Sequence, residues 1–274
     1  MGRVRVGSIL HAMGLLAISV FALFPFYWMV SSSLKDQTDL LASPPVWVFT
    51  PTFSNYQDIF ADRRVTDAVL NSLLVASATT GLSILLGTPA AYALARFTFR
   101  GKDDLWFWFI SNRMVSPIVL ALPVYLLASR VGLLNTRFVL ILIYLTFNLP
   151  IVVWICTDQF RSIPIELEQS ARLEGANQFD IFWRIYLPLG TPGIAVSAIF
   201  AFIFSWNELL YALVLITSQS LKTAPVVATN FMSGYELPWG KIMATGTVIV
   251  LPVTVFALLV SRHMVNGLTM GATK

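Results

Sequence analysis

The stretch LEQSARLEGANQFDIFWRIYLPLG, Leu167 to Gly190, places Glu168, Glu174, Asp180, Arg172 and Arg184 within two dozen residues, yet long apolar runs flank it on both sides. Locally it reads as two short helices. Pro164 sits where a first turn tolerates a missing N–H, and Glu166 and Glu168 fall near the positive end of the helix dipole. Glu168 and Arg172 form an i,i+4 pair in the favourable order. Gly175 stands where a helix ends in a left-handed residue. Asn177 then caps a second start, with Asp180 three residues on as a capping-box analogue. Phe179, Phe182, Trp183 and Tyr186 fall on one helical face. Pro188 is expected to stop this helix, and Thr191-Pro192 to open the next. A bulky apolar face needs cover. Either a partner or a membrane surface supplies it, or the face packs on the chain's own helices; on the residues alone both readings stand.

The flanks settle the class. Of the 274 residues, 57% are hydrophobic and 12% charged, and the mean hydropathy is +0.74. A soluble domain carries about a quarter charged residues, and here the deficit is gathered into uncharged runs long enough to cross a bilayer. Six spans are expected, at about 9–33, 68–95, 105–128, 138–158, 192–216 and 242–261, in one domain covering 1–274. The first follows Arg3 and Arg5 but is too long for a signal peptide and leads to PFYWMVSSSLK, so it reads as a retained helix. A lone cysteine, Cys156, rules out an internal disulfide, and neither His11 nor His263 has a partner at metal-ligand spacing; no metal and no catalytic residue is expected. The net charge of +4 reads as topology, not nucleic-acid binding.

With the N-terminus inside, ten Lys or Arg fall on the cytoplasmic side against seven outside. The short turn ARFTFRGKDD is the clearest cytoplasmic marker, and both termini are expected inside. Prolines recur within the spans (Pro25, Pro89, Pro117, Pro123, Pro150, Pro252), which suits bent helices around a pathway and equally the ordinary frequency of proline in membrane helices. The outer loop after the first span is broken by Pro44, Pro45 and Pro51, and Trp47, Phe49, Phe53 and Tyr56 suit an interfacial or docking surface.

The spacing Gln169-Ser170-Ala171, three residues, Gly175, nine residues, Ile185, one residue, Leu187-Pro188 resembles the EAA loop of ABC-importer permeases, whose pattern begins Glu-Ala-Ala. GLLNT after the third span, FSWNELLYALVL in the fifth and the terminal NGLTMGATK resemble the sugar-importer (MalG-like) branch. The resemblance implies an all-α membrane protein of the MetI-like permease fold, with a cytoplasmic two-helix coupling loop at about 161–190 between spans four and five. It implies that Gln169, Ser170, Ala171 and Gly175 dock in an ATPase cleft, with Ile185, Leu187 and Pro188 from the second half. Glu168, Glu174, Ala176 and Phe179 are expected beside them. Gln169 replaces the family's Glu and Ser170 its first Ala; either Glu168 takes over the lost charge or docking is less electrostatic.

The chain has no G-x-x-x-x-G-K-[ST]; its nearest glycine pair, Gly81 and Gly87, lies in an apolar run without lysine. By the resemblance, ATP and Mg bind to two copies of a separate ATPase subunit. A second permease completes a heterodimer, an extracytoplasmic binding protein delivers solute, and the seat is a bacterial or archaeal plasma membrane. The expected role is a transport subunit, not an enzyme, moving a sugar, oligosaccharide or polyol. A glycerol phosphate compound is the alternative solute, and an ATPase-independent secondary transporter the alternative class.

Polar groups within spans mark candidate pathway positions. Arg113 could meet sugar hydroxyls or snorkel to the interface. Asn148 could line the pathway or satisfy the carbonyl freed by Pro150. Trp206, Asn207 and Glu208 offer a flat ring and hydroxyl partners, or form an interhelical knot.

Overall fold

In the computed structural model, residues 6–231 and 237–271 are described, and every regular element among them is helical. Arg3, Arg5 and Lys274 of the orientation count, with the last residues of NGLTMGATK, lie outside the described residues. In chain order, α1 (Val6–Ser33), α2 (Gln37–Leu40) and α3 (Ser54–Ala61) precede α4 (Arg63–Arg96). Next come α5 (Lys102–Ser111), α6 (Pro117–Arg130) and α7 (Arg137–Arg161). Then α8 (Ile165–Leu173), α9 (Gln178–Ile181), a π-turn (Phe182–Tyr186) and α10 (Leu187–Trp206) follow. The last are α11 (Leu210–Leu215), α12 (Ala224–Asn230) and α13 (Trp239–Gly271).

Among the described residues, five helical segments are long and apolar enough to cross a membrane, and a bent pair, Lys102–Met114 with Pro117–Arg130, makes a sixth when counted as one broken span. That agrees with an all-α, six-span architecture, with three corrections to the expected elements. The third span is not continuous: its halves meet at 97°. Pro117 holds Ser116 extended (φ −66°, ψ 129°), which no helix can pass through, and then serves as the first residue of α6.

The fifth span is also broken. α10 ends at Trp206, where Asn207 donates its side-chain amide to the Ile203 carbonyl at 2.9 Å. Glu208 restarts the chain by accepting from the Tyr211 and Ala212 N–H groups at 2.9 and 3.1 Å. The third correction concerns Pro188, which stops nothing. The chain is helical from Gln178 through the π-turn to Trp206. Proline clashes with the carbonyl four residues back in an α-helix. Here the Leu187 N–H reaches the Phe182 carbonyl instead, and the wider turn makes room for the ring. Thr191-Pro192 lies inside α10.

The chain packs as two compact units: one is the chain up to Val65 with Ala228–Val250, the other Thr66–Val227 with the chain from Leu251. In the first, the loop after α1 folds back on that helix. The Lys35 ammonium is buried, donates to the Val46 carbonyl at 2.7 Å and lies 5.0 and 4.9 Å from the Trp28 and Phe49 ring centres. Asn55 donates to the Ser33 and Lys35 carbonyls at 3.0 Å each, satisfying the end of α1. Asp58 and Lys241 pair at 3.0 Å. Asp62 accepts the Arg64 backbone N–H at 3.0 Å, which holds its carboxyl below the usual range. Trp47 and Phe53 stay exposed.

The second unit is built around α7, whose inner face is buried along most of its length. α10 approaches it closely because α10 is small at the seam: a Cβ on Gly193 would lie 2.6 Å from the Gln159 Cβ. Gly193→Ala is therefore expected to cost about 1–3 kcal/mol through overpacking, read as a lower melting point of the purified protein. GLLNT is a clasp. Gly132 and Asn135 both take positive φ (70° and 57°). The Asn135 side-chain oxygen Oδ1 accepts from Thr217 N–H, Thr217 Oγ1 and Ser218 N–H at 2.7, 3.0 and 2.8 Å, while Thr136 caps α7.

Candidate functional site

The loop between α7 and α10 is built from the turns its residues favour. α8 ends at Gly175 (φ +88°) in a Schellman arrangement: Ala176 N–H reaches the Ala171 carbonyl, and Gly175 N–H that of Arg172, both at 3.0 Å. Asn177 caps α9 by accepting from Asp180 N–H at 2.9 Å.

The aromatic face expected to be continuous is split. Phe182 and Tyr186 are buried with Tyr92 of α4 and Phe160 of α7, ring centres 4.8–5.8 Å apart for the pairs Tyr92–Phe182, Tyr92–Tyr186 and Phe160–Tyr186. Phe179 and Trp183 are 69% and 53% exposed. The π-turn causes the split, because one extra residue per turn rotates the later side chains relative to α-helical spacing.

A polar network lies beneath. Glu168 is 6% exposed and accepts from Arg172 at 2.6 Å and from the Tyr186 hydroxyl at 2.8 Å. It is therefore turned away from the outer face. Arg96, at the end of α4, lies 4.8 Å over the Tyr186 ring and donates to the Phe160 carbonyl at 2.8 Å and to that of Ile163. The Gln178 amide is 2.9 Å from the Tyr92 hydroxyl.

Gln169, Ser170, Glu174, Gly175 and Pro188 are exposed, while Ala171, Ala176, Ile185 and Leu187 are half-buried against the inner cluster. Leu173, 90% exposed, is a position that sequence reasoning missed. Its signal was an apolar residue beside the helix-ending Glu174-Gly175, on a short helix that also carries the exposed Ile165 and Leu167. Arg96 was read only as a charge for topology, and its capping role depends on where α7 ends and the chain turns toward α8.

Farther along α7, the two helix breaks face one cavity of about 240 Å³. Asn112, Arg113 and Pro117 line it from the first break, Phe204 and Glu208 from the second, and Thr146 from α7. The Arg113 guanidinium lies 5.0 Å over the Phe204 ring. Besides capping α11, Glu208 accepts from the Tyr144 hydroxyl at 2.8 Å.

The other candidates fall elsewhere. Trp206 is buried and stacks on Phe202, ring centres 5.8 Å apart, so it presents no face to the cavity. Asn207 is spent on the end of α10. Asn148 is buried and donates to the Tyr144 carbonyl and to Ser205 Oγ at 2.9 and 2.8 Å. The Thr146 carbonyl, which Pro150 frees, is reached by Asn112 at 2.7 Å and not by Asn148. Asn112 was missed because its partner lies on a different helix.

Comparison with known proteins bears on this arrangement. Over 256 residues, 93% of each chain, the protein is 39% identical to the trehalose transport system permease protein SugB of Mycobacterium tuberculosis. It is 30% identical to the trehalose/maltose transport system permease protein MalG of Thermococcus litoralis, over 97% of this chain and 96% of the relative. A chain in the crystal structure of a bacterial ABC transporter involved in import of the acidic polysaccharide alginate superposes with a TM-score of 0.77 at 22% identity, covering 96% and 98% of the two chains. Residues 4–269 match the family described as binding-protein-dependent transport system inner membrane component, and the chain belongs to that family of ABC-transporter permeases.

Proposed function

We propose that this chain is the permease subunit of an ATP-driven importer for a sugar, oligosaccharide or polyol, acting as one permease domain. A separate ATPase docks on the 161–190 loop, a second permease closes the pathway, and an extracytoplasmic binding protein supplies the solute. The observation that carries this reading is the loop. Leu173, Phe179 and Trp183 stand exposed on a scaffold that turns Glu168 inward onto Arg172 and Tyr186, as expected of a surface meant for a partner. The chain lacks a P-loop sequence, so the ATP-binding role falls to that partner. The orientation with both termini in the cytoplasm puts the loop on the ATP side.

The solute class rests on the relatives' names and on the cavity. Breaks in membrane helices expose backbone and polar side chains to a cavity and are where transporters bind solutes. Arg113 and Asn112 can donate to hydroxyls, Glu208 can accept, and Phe204 and Phe147 give apolar walls. Arg113→Met is expected to lower uptake at least about tenfold, the worth of one charged hydrogen bond in a desolvated site, with the amount of assembled complex unchanged.

Uptake assays in proteoliposomes, with partner subunits present and a panel of labelled disaccharides and polyols, test the function. Internal ATP should be required, and a proton uncoupler should leave uptake intact. Uptake that collapses with the uncoupler while ATP stays constant would instead favour a secondary transporter.

A further inference from the structure

The network beneath the loop has a mechanical consequence. α8 is a nine-residue helix suspended between two joints. At one end Pro164 is extended (φ −57°, ψ 133°), and at the other Gly175 is left-handed, with open space around the position of a Cβ. Both residues leave the helical path, so the hydrogen-bond ladder of α8 does not run on into its neighbours. The tie from α8 to the π-turn is Glu168, whose partner eighteen residues on is Tyr186, beside an Arg172–Gln178 contact that leads to Tyr92 of α4. Tyr186 is fully buried on the π-turn, and that turn runs without interruption into α10. Its ring in turn carries Arg96, which belongs to α4 and grips the last carbonyls of α7 and its exit. One carboxylate therefore connects a surface helix to the ends of three membrane helices.

We infer that Glu168 and Tyr186 are positioning residues. Their hydrogen bond makes α8, the π-turn and the neighbouring ends of α4 and α7 move as one body, so that displacement of the loop reaches the cavity instead of being absorbed at Pro164 and Gly175. The inference rests on the reading of the loop as the ATPase-docking element. It also assigns the π-turn a purpose. With α-helical spacing Tyr186 would share the outer face of Phe179 and Trp183, and Glu168 would lie beneath the surface without that partner. Arg172 alone, half-exposed, would hold a screened pair of small worth.

The test separates docking from transmission. In the full importer carrying C156S, a cysteine at Ala176 paired with one in the ATPase cleft reports docking. In a second preparation, a cysteine at Leu120, on the cavity wall, reports the cavity through its rate of maleimide labelling with and without a non-hydrolysed ATP analogue. Tyr186→Phe removes only the hydroxyl. It should leave the crosslink intact while the ATP-induced change in labelling falls about tenfold, the equilibrium worth of one hydrogen bond to a buried carboxylate. Glu168→Ala should lose as much, whereas Glu168→Gln, which keeps an acceptor for the hydroxyl, should retain most of the response. A full labelling response in Tyr186→Phe and Glu168→Ala, with docking intact, would overturn the inference and leave the docking reading standing. Loss of assembled complex in Tyr186→Phe and Glu168→Gln alike would overturn it too, by making the pair a folding element. Absence of a crosslink in the unmodified loop would instead remove the docking reading on which it rests.

Discussion

Glutamate at Phe179 or Leu173 is expected to abolish ATP-driven uptake while the protein still folds and inserts. Both side chains are largely exposed and make little of the interior, so each substitution has a small stability cost. On the docking proposed above they would be the apolar anchors of the covered surface, and buried anchors of this kind are typically worth about 2–4 kcal/mol each. Placing a charge there adds the cost of desolvating it. Association of the ATPase should weaken by about 30-fold or more. Co-purification of the ATPase with the membrane subunit, at unchanged membrane yield, measures this directly. The same exchange at Phe182 should behave differently. Phe182 is buried against Tyr92, so Phe182→Glu is expected to reduce the yield of folded protein before any docking is measured.

Glu208→Ala is the second large effect, and it falls on the fold as well as on transport. The carboxylate accepts two backbone N–H groups at the start of α11 and the Tyr144 hydroxyl. Removing it leaves three donors without a partner at a helix break within a span. Each unsatisfied donor costs about 1–3 kcal/mol, so a total of about 3 kcal/mol or more is expected. The melting midpoint should fall by about 5–10 °C. Glu208→Gln keeps one acceptor oxygen and should lose about half as much. Arg113→Met provides the contrast, since its side chain lies over a ring at the cavity wall and the prediction there is lost uptake without lost stability.

The parts legible in the sequence were those set by near neighbours along the chain. Gly175 as a left-handed helix end, Asn177 as a cap and the Glu168–Arg172 pair all depend on residues three to five apart, and all three stand in the structure. The apolar runs likewise marked the five long helices and the bent pair that makes a sixth span when its halves are counted together. What was not legible depends on helices meeting. Pro188 and the aromatic spacing pointed to a stop and a single face, but the π-turn absorbs the proline and turns Tyr186 inward, where Arg96 and Glu168 wait. Pro117 carried a visible signal for a kink, but the right-angle break follows from the extended Ser116 before it. Asn148 was paired with Pro150 by proximity in sequence, whereas the freed carbonyl is reached by Asn112 from across the cavity. Trp206 looked available to a sugar ring until its stacking on Phe202 placed it in the interior.

One measurement bears most directly on the central claim that the 161–190 loop takes up the motion of an ATPase. With C156S in place, a cysteine at Ala176, half-buried beside Gly175 on the loop, would be crosslinked to single cysteines along the cleft of the cognate ATPase, with and without ATP. A crosslink whose yield changes with nucleotide is the predicted result. No crosslink at any cleft position, from folded and fully assembled protein, would contradict it and mean that the exposed face of Leu173, Phe179 and Trp183 serves some other contact.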